Sequence, residues 1–127
     1  MAPTVVLDAN ALMAPVEVGV RVFEECDRLL GDPEYVIPAA VHAELEALAR
    51  GGGEAATAAS VGLDLADRCT IREMPAESGD AAVLSLARRP DVTHVVTNDG
   101  DLRAAILDAG VPVLSSRGQH KLTLTRP

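Results

Sequence analysis

The stretch Thr4-Val5-Val6-Leu7-Asp8 decides the fold expected of this chain. A short β-branched apolar run of this kind is typical of a buried strand, and Asp8 closes it. Apolar residues then recur at helical spacing from Val16 to Leu30 and stop at Gly31, which is typical of a helix end. A strand followed by a helix is the first unit of a parallel sheet, because a right-handed crossover returns the chain to the same side of entry.

The same alternation of short apolar runs and helical periods continues along the chain. Four more strands are expected, at Tyr35–Pro38, Cys69–Met74, Thr93–Thr97 and Val111–Leu114. Five strands that alternate with helices predict an α/β fold, a three-layer α/β/α sandwich around a five-stranded parallel sheet. The 127 residues fit one such domain, 1–127, which ends in a short basic tail at 115–127.

Composition limits the partners that this domain can bind. The chain has 19 acidic and 11 basic residues, a formal net charge of -8, so a broad basic face that wraps nucleic acid is excluded. Phe23 and Tyr35 are its only aromatic residues, too few for a base-stacking platform. No acid follows residue 108, so the tail is the basic end of the chain. It is either a solvated terminus or the place where a nucleic acid is held locally, with Arg117, His120 and Lys121 as candidate contacts.

Cysteine usage and the N-terminal residues point to a cytoplasmic protein. Cys26 and Cys69 are isolated from each other, and the histidines show no zinc-ligand spacing, so reduced thiols are expected. The chain starts without a charged segment before its first apolar run, and no run approaches about 18 apolar residues. We therefore expect neither a targeting segment nor a membrane partner.

Two aspartates follow predicted inner strands directly. Asp8 comes after Val5–Leu7, and Asp99 closes the segment Val95–Asn98. The carboxyl ends of parallel strands meet at one edge of a sheet, where ligands bind. Each aspartate alone is more simply explained as a helix cap, but two of them at neighbouring strands predict a site.

Two further acids lie on helical faces that are otherwise apolar. At about 100° per residue, Glu44 shares a helix side with Val41 and Leu45, which predicts that it flanks the buried stripe. Asp80 lies in the same way with Val83 and Leu84, although its place in a first turn also suits the helix dipole. An ionised carboxylate in such a place costs several kcal/mol unless it has a partner, so both acids are expected to act with the junction aspartates.

Acids that converge on one crevice require neutralisation. Asp8, Glu44, Asp80 and Asp99, with Asp101 as a fifth candidate, would repel one another unless their pKa values rise or a divalent cation binds. All-oxygen ligands without Cys or His suit Mg²⁺ or Mn²⁺, and such a site favours phosphodiester hydrolysis. Two neighbours, Asn10 and Thr97, are supporting candidates that could orient an acid or a metal-bound water, and both are also ordinary turn residues.

Four segments resemble, in order and strand placement, the motifs of PIN-domain nucleases: Val6–Asn10, Pro38–Leu45, Gly79–Ala87 and Thr97–Arg103. The resemblance spans residues 4–124 and implies a PIN fold. It also implies that one acid in each motif binds Mg²⁺ or Mn²⁺ and serves in catalysis, these acids being Asp8, Glu44, Asp80 and Asp99. The implied activity is hydrolysis of RNA to 5′-phosphate and 3′-hydroxyl ends.

Within the family, Pro15–Leu30 and Val111–Leu122 resemble archaeal small-subunit ribosomal RNA processing nucleases most, with VapC-type toxins as near neighbours. This implies ribosomal RNA or its precursor as the partner, and an antitoxin if the chain is a toxin. A homodimer is expected from the habit of the family.

Other readings remain open at this point. The run Asp8-Ala9-Asn10 resembles the start of haloacid-dehalogenase phosphotransferases, but the second acid is missing and Lys121 is the only lysine. A non-catalytic RNA-binding or ribosome-assembly module would need its intact acids to be relics. The glycine triplet at 51–53 lacks the lysine of a phosphate-binding loop and follows a helix, which favours a hinge or loop.

Overall fold

The computed structural model describes residues 2–75 and 78–127, and its centre is a mixed sheet. The strands of this described part are β1 (Thr4–Leu7), β2 (Glu34–Pro38), β3 (Thr70–Arg72), β4 (His94–Val96), β5 (Val113–Arg117) and β6 (Lys121–Thr125). Their order in the sheet is β3-β2-β1-β4-β5-β6, and only β6 runs antiparallel to its neighbour. The strand order therefore reverses between β1 and β4.

Helices connect the parallel strands and cover both faces of the sheet. They are α1 (Ala9–Glu17), α2 (Val22–Leu30), α3 (Ala39–Ala49), α4 (Gly53–Ala66), α5 (Gly79–Ala87) and α6 (Gly100–Asp108). The chain moves from β1 to β2 and β3 in one direction and then to β4 and β5 in the other, so right-handed crossovers place α1–α4 opposite α5 and α6. The predicted α/β/α sandwich is confirmed. At its centre all four residues of β1 are buried, as expected of an inner parallel strand.

The predicted first helix is two helices. Residues 18–21 interrupt the apolar period between α1 and α2, and Gly19 there has a φ of +69°. A Cβ at this glycine would lie 2.9 Å from the His120 ring, so both the turn and the packing require glycine. Helical periodicity alone does not reveal the break, because the apolar spacing resumes after it.

The expectation of five strands was wrong by one strand. Lys121–Thr125, expected within the basic tail, forms β6, whose alternation of polar and apolar residues is typical of a half-buried edge strand. Leu122 in β6 is buried, and α2 covers the outer edge of the strand at this residue. The Glu25 carboxylate accepts from the Leu122 N–H at 2.8 Å, and Arg28 donates to the Leu122 carbonyl at 3.2 Å. These side chains stand in for a neighbouring strand and protect the edge.

The two aromatic residues attach α2 to the sheet. Phe23 and Tyr35 meet edge to face with ring centroids 4.6 Å apart, and the Arg68 guanidinium lies 4.2 Å from the Phe23 centroid. The Tyr35 hydroxyl donates to Asp27 at 2.8 Å. Both rings are buried, so they pack the fold and are not available for stacking on bases.

Neither a reactive thiol nor a membrane-spanning helix is found in the described residues. Cys26 and Cys69 form no disulfide, and burial raises the pKa of each thiol to about 12. Such thiols stay protonated and unreactive at neutral pH. Across residues 2–75 and 78–127, no helix has both the length and the apolar character needed to cross a membrane.

Candidate active site

The strand register brings two of the predicted acids together. Leu7 pairs with Val96 between β1 and β4, so Asp8 and the segment 97–99 leave the sheet side by side at its carboxyl edge. This is also the point where the strand order reverses, the usual ligand position in open α/β sheets. The predicted proximity of Asp8 and Asp99 is therefore a consequence of the topology, and their role in a site stays a prediction.

Asp8 is held on both of its oxygens. Its Oδ1 accepts from the Ala11 N–H at 2.8 Å, which caps α1, and its Oδ2 accepts from the Thr97 hydroxyl at 2.5 Å. Only 4% of Asp8 is exposed, and Thr97 is fully buried. The Thr97 oxygen in turn accepts from the Asp99 N–H at 3.1 Å. One hydroxyl thus fixes Asp8 and the backbone of Asp99 relative to each other.

The electrostatics around Asp8 disfavour its ionised form. Burial, opposed by the hydrogen bonds from Thr97 and Ala11, raises the pKa of Asp8 from 3.8 to about 6, and the negative charges of Asp80 and Asp99 add to the rise. A nearby cation would reverse this effect. The raised pKa therefore reflects a buried carboxylate without a positively charged partner, which a bound cation would stabilise.

Asp99 combines a capping role with its place in the site. Its Oδ1 accepts from the Leu102 N–H at 3.0 Å and caps α6, and the side chain is half-buried. The capping explanation and the site explanation are therefore both compatible with this residue, since a carboxylate has two oxygens.

Glu44 and Asp80 lie nearer the solvent than the sequence predicted. Both residues are exposed, and Leu48 on the same side of α3 is 37% exposed, so the buried stripe of α3 ends at Leu45. Helical periodicity identified the side of α3 that faces the core, but it did not show where the elements that cover this side end. Even so, partial burial and the charge of Asp80 raise the pKa of Glu44.

Gly79 makes room for the Glu44 carboxylate at the start of α5. A Cβ at position 79 would lie 2.8 Å from Glu44 Oε1, closer than any ordinary contact. Glu44 therefore rests on the first residue of α5, beside Asp80 and near the positive end of that helix. Sequence reasoning missed Gly79, because a glycine at a helix start has no distinctive pattern.

The two remaining predicted residues of the site, Asn10 and Asp101, lie at its periphery. Asn10 is exposed in the first turn of α1, and Asp101 is exposed in the first turn of α6. Neither side chain hydrogen-bonds to, or forms an ion pair with, another residue in the described ranges. Both can reach a ligand from the rim of the site only.

The donor set suits a hard divalent cation. None of the five acids forms an ion pair with a basic side chain in the described part of the chain, and all of their donor atoms are oxygens. Within residues 2–75 and 78–127 no three acidic, His or Cys side chains are grouped closely enough to hold one ion as they stand. Electrostatic repulsion instead acts between neighbouring acids: Asp80 and Asp99 raise the pKa of Asp8, and Asp80 raises the pKa of Glu44. Carboxylates without a positively charged partner are suitable ligands for Mg²⁺ or Mn²⁺.

Comparison with known proteins identifies the family. The family model described as "PIN like domain" matches residues 5–119. The chain belongs to the PIN-like domain family. PIN domains are generally nucleases, and they usually use divalent metals.

A solved structure shares the fold of this PIN-like chain. The structure described as the PIN domain endonuclease Utp24 aligns with a TM-score of 0.77 and 23% sequence identity, over 98% of this chain and 92% of that one. The predicted PIN fold is thereby confirmed. No curated protein sequence matches the chain.

The basic candidates of the PIN-like domain lie on the hairpin that joins β5 and β6. Arg117 ends β5 and Lys121 begins β6, and both are exposed. His120 lies in the turn with a φ of +66°, and its Nδ1 is 2.8 Å from the Gly19 carbonyl oxygen. The three residues therefore belong to a braced hairpin at the carboxyl edge of β5.

Asn98 links this hairpin to the acids and was missed in the sequence. Its Nδ2 donates to Ser116 Oγ at 2.9 Å, and its Oδ1 accepts from the Ser116 N–H at 2.7 Å. These bonds extend the ladder between β4 and β5 by one side chain. The position between Thr97 and Asp99 was the only available signal, and it does not specify a distant partner.

Proposed function

We propose that this PIN-like chain is a divalent-metal-dependent endoribonuclease that hydrolyses RNA phosphodiesters at the carboxyl edge of its sheet. The observation that carries the proposal is the state of Asp8. This carboxylate is buried, is hydrogen-bonded on both oxygens and lies within range of the charges of Asp80 and Asp99, with no basic side chain of the described residues paired to it. Such an arrangement has an unfavourable energy until a cation binds.

The acids have different tasks in this proposal. Asp8 and Asp99, fixed through Thr97 and their helix caps, form the rigid side of the metal site, with Mg²⁺ or Mn²⁺ as the expected ion. Glu44 and Asp80 form the accessible side, where a phosphodiester can approach from solvent. A bound ion would supply activation of a water molecule and stabilisation of the departing oxygen.

The rim residues refine this site. Thr97 would keep the Asp8 carboxylate in one orientation for a bound cation. The exposed side chains of Asn10 and Asp101 are suited to hydrogen bonds with water around the ion. Water is the nucleophile that a bound metal ion would activate here. The resemblance to PIN-domain nucleases implies 5′-phosphate and 3′-hydroxyl ends as the products.

The proposed substrate is ribosomal RNA or its precursor, cut in the cytoplasm. The support is the resemblance of Pro15–Leu30 and Val111–Leu122 to ribosomal RNA processing nucleases. These two segments are neighbours in space, since Glu25 and Arg28 of α2 bind the backbone of Leu122. They therefore form one surface, where an RNA could be recognised.

The test is cleavage of a structured, end-labelled ribosomal RNA fragment by the purified chain. We expect cutting with Mn²⁺ and none with EDTA, and a loss of about 100-fold or more in Asp8→Asn and Asp99→Asn. Asp108→Asn is the matched control, because Asp108 ends the same helix that Asp99 caps and is exposed. Equal cleavage by the wild type and Asp8→Asn would assign the activity to a contaminant and refute the proposal.

A further inference from the structure

A groove with a basic lining lies between α2 and the β5–β6 hairpin. Its volume is about 470 Å³, and its lining includes Arg28, Arg117 and Lys121 but no acidic residue. The chain as a whole carries a net charge of -8. A concentration of three basic side chains in one groove is therefore a local exception to the acidic character of the chain.

Arg117 and Lys121 face each other across the hairpin. They are register partners on β5 and β6, so their side chains emerge on the same face. Like charges directly opposite each other in a sheet are destabilising. Neither residue forms an ion pair within the described ranges. A bound anion between them would remove this repulsion.

The third basic residue is already oriented. Arg28 donates through Nε and Nη2 to Glu25 and through Nη2 to the Leu122 carbonyl, which fixes its guanidinium at the groove. Glu25 cannot serve as the missing anion, because its oxygens accept from Arg28 and from the Leu122 N–H. These bonds hold its pKa at about 2. Glu25 also attracts Lys121, but one carboxylate cannot balance three basic side chains, so the groove keeps a net positive charge beside one fixed guanidinium.

A hydrogen-bonded link joins the hairpin of the groove to the acidic segment. Val96 pairs with Leu114, and beyond the end of β4 the Asn98 side chain bonds to Ser116. Asp99 and Arg117 are the next residues after the two partners of this link. An RNA held at Asp99 is therefore within reach of the hairpin.

We infer that this groove binds the phosphate backbone of the RNA on one side of the cut. The inference rests on the proposed function and adds a second site to it. Guanidinium groups bind phosphate oxygens in a fork, and lysine adds a point charge. His120 is not part of the groove lining. Its hydrogen bond to Gly19 braces the hairpin that carries the exposed side chains of Arg117 and Lys121.

Binding without cleavage tests the groove separately from the catalytic proposal. The measurement is fluorescence anisotropy of a labelled single-stranded RNA in EDTA, over a range of salt concentrations. The variant Arg117→Gln/Lys121→Gln is compared with Arg88→Gln/Arg89→Gln, which removes two exposed arginines at the far end of α5. We expect the first variant to bind at least about 10-fold more weakly at low salt, with a salt slope smaller by about 1.4, and the control to keep the wild-type slope.

A cleavage arm separates the failure of the groove from the failure of the proposed activity. With Mn²⁺ and low substrate concentration, the loss of activity in the groove variant should be at least about 10-fold greater on a long RNA than on a dinucleotide. Equal RNA affinity and salt slope in the wild type and the groove variant would overturn the inference. Equal losses in both double variants would do the same, as would a groove that binds polyglutamate but not RNA. RNA binding through the groove in a chain that cuts nothing would support the groove and refute the nuclease.

Discussion

Replacing Gly79 by alanine tests whether Glu44 must stand where the structure places it. The new Cβ would lie 2.8 Å from Glu44 Oε1 and 3.7 Å from Val41 Cγ2. Because ordinary contacts begin at 3.4 Å, the carboxylate must retreat by about 0.6 Å, whereas Val41 can remain in place. The perturbation therefore acts on one functional group of the site and leaves the core alone.

The expected effect on activity follows from the tolerance of metal sites. Ligand distances in such sites hold to within about 0.2 Å, so a displacement of about 0.6 Å takes Glu44 out of position. Disturbing a group that holds or orients a metal ligand typically costs about 10- to 100-fold in metal affinity or activity. Stability should not fall, because Gly79 is the first residue of α5 and alanine there restricts the unfolded chain, a gain of up to about 1 kcal/mol.

The assay is kcat/KM on RNA over a series of Mn²⁺ concentrations, together with Tm. Gly100→Ala is the matched control, since Gly100 begins α6 and a Cβ there meets nothing within 4 Å. We expect Gly79→Ala to lose about 10- to 100-fold in activity at an unchanged or higher Tm, and Gly100→Ala to retain both. A Gly79→Ala protein that cuts RNA at the wild-type rate would refute the role of Glu44.

Three further predictions concern the contacts around the acids. In EDTA, Asp8→Asn should raise the free energy of unfolding by up to about 3 kcal/mol at pH 8 and leave it unchanged near pH 3. The reason is that folding raises the pKa of Asp8 from 3.8 to about 6, so the wild type loses stability as the pH rises through this range, whereas the asparagine of the variant does not ionise. Urea unfolding at both pH values checks this. Asn98→Ala should speed hydrogen exchange at the Ser116 amide and slow RNA cleavage, whereas Ser116→Ala should keep the amide protected, since its N–H still bonds to Asn98. Glu25→Ala should speed exchange at the Leu122 amide, and a protection factor equal to that of the wild type would show that the edge of β6 needs no cover.

The parts of the fold that were predicted correctly depend on local signals. The inner strands β1 and β4 are short apolar runs, and each is closed by a polar segment that contains an aspartate. Once the strands are parallel, the topology alone places Asp8 and Asp99 together, so no knowledge of side-chain packing was needed. The sixth strand failed for a different reason: its alternation is visible, but a net positive terminus was taken for a solvated tail.

The parts that could not be predicted depend on where two distant elements meet. Glu44 was placed on the correct side of α3, yet its exposure and its contact with Gly79 depend on how closely α5 approaches. Helical periodicity shows which side of a helix is buried, but it does not show where the neighbouring helix that covers this side ends. Gly79 and Asn98 were missed for the same reason, since their partners lie tens of residues away or across a strand.

Three consecutive side chains explain why the acids and the hairpin form one mechanical unit. Thr97 bonds to Asp8 on β1's side, Asn98 bonds to Ser116 on β5, and Asp99 caps α6. Each side chain fixes the same short segment to a different element, so the segment cannot shift at one partner without straining the other two. A ligand bound at the hairpin would therefore be linked to Asp8 through the side chains of Asn98 and Thr97. A cation held by Asp8 and Asp99 would be linked to the hairpin through the same hydrogen bonds. The capping role of the aspartates thus does not compete with their role in the site, because capping is what makes their separation rigid.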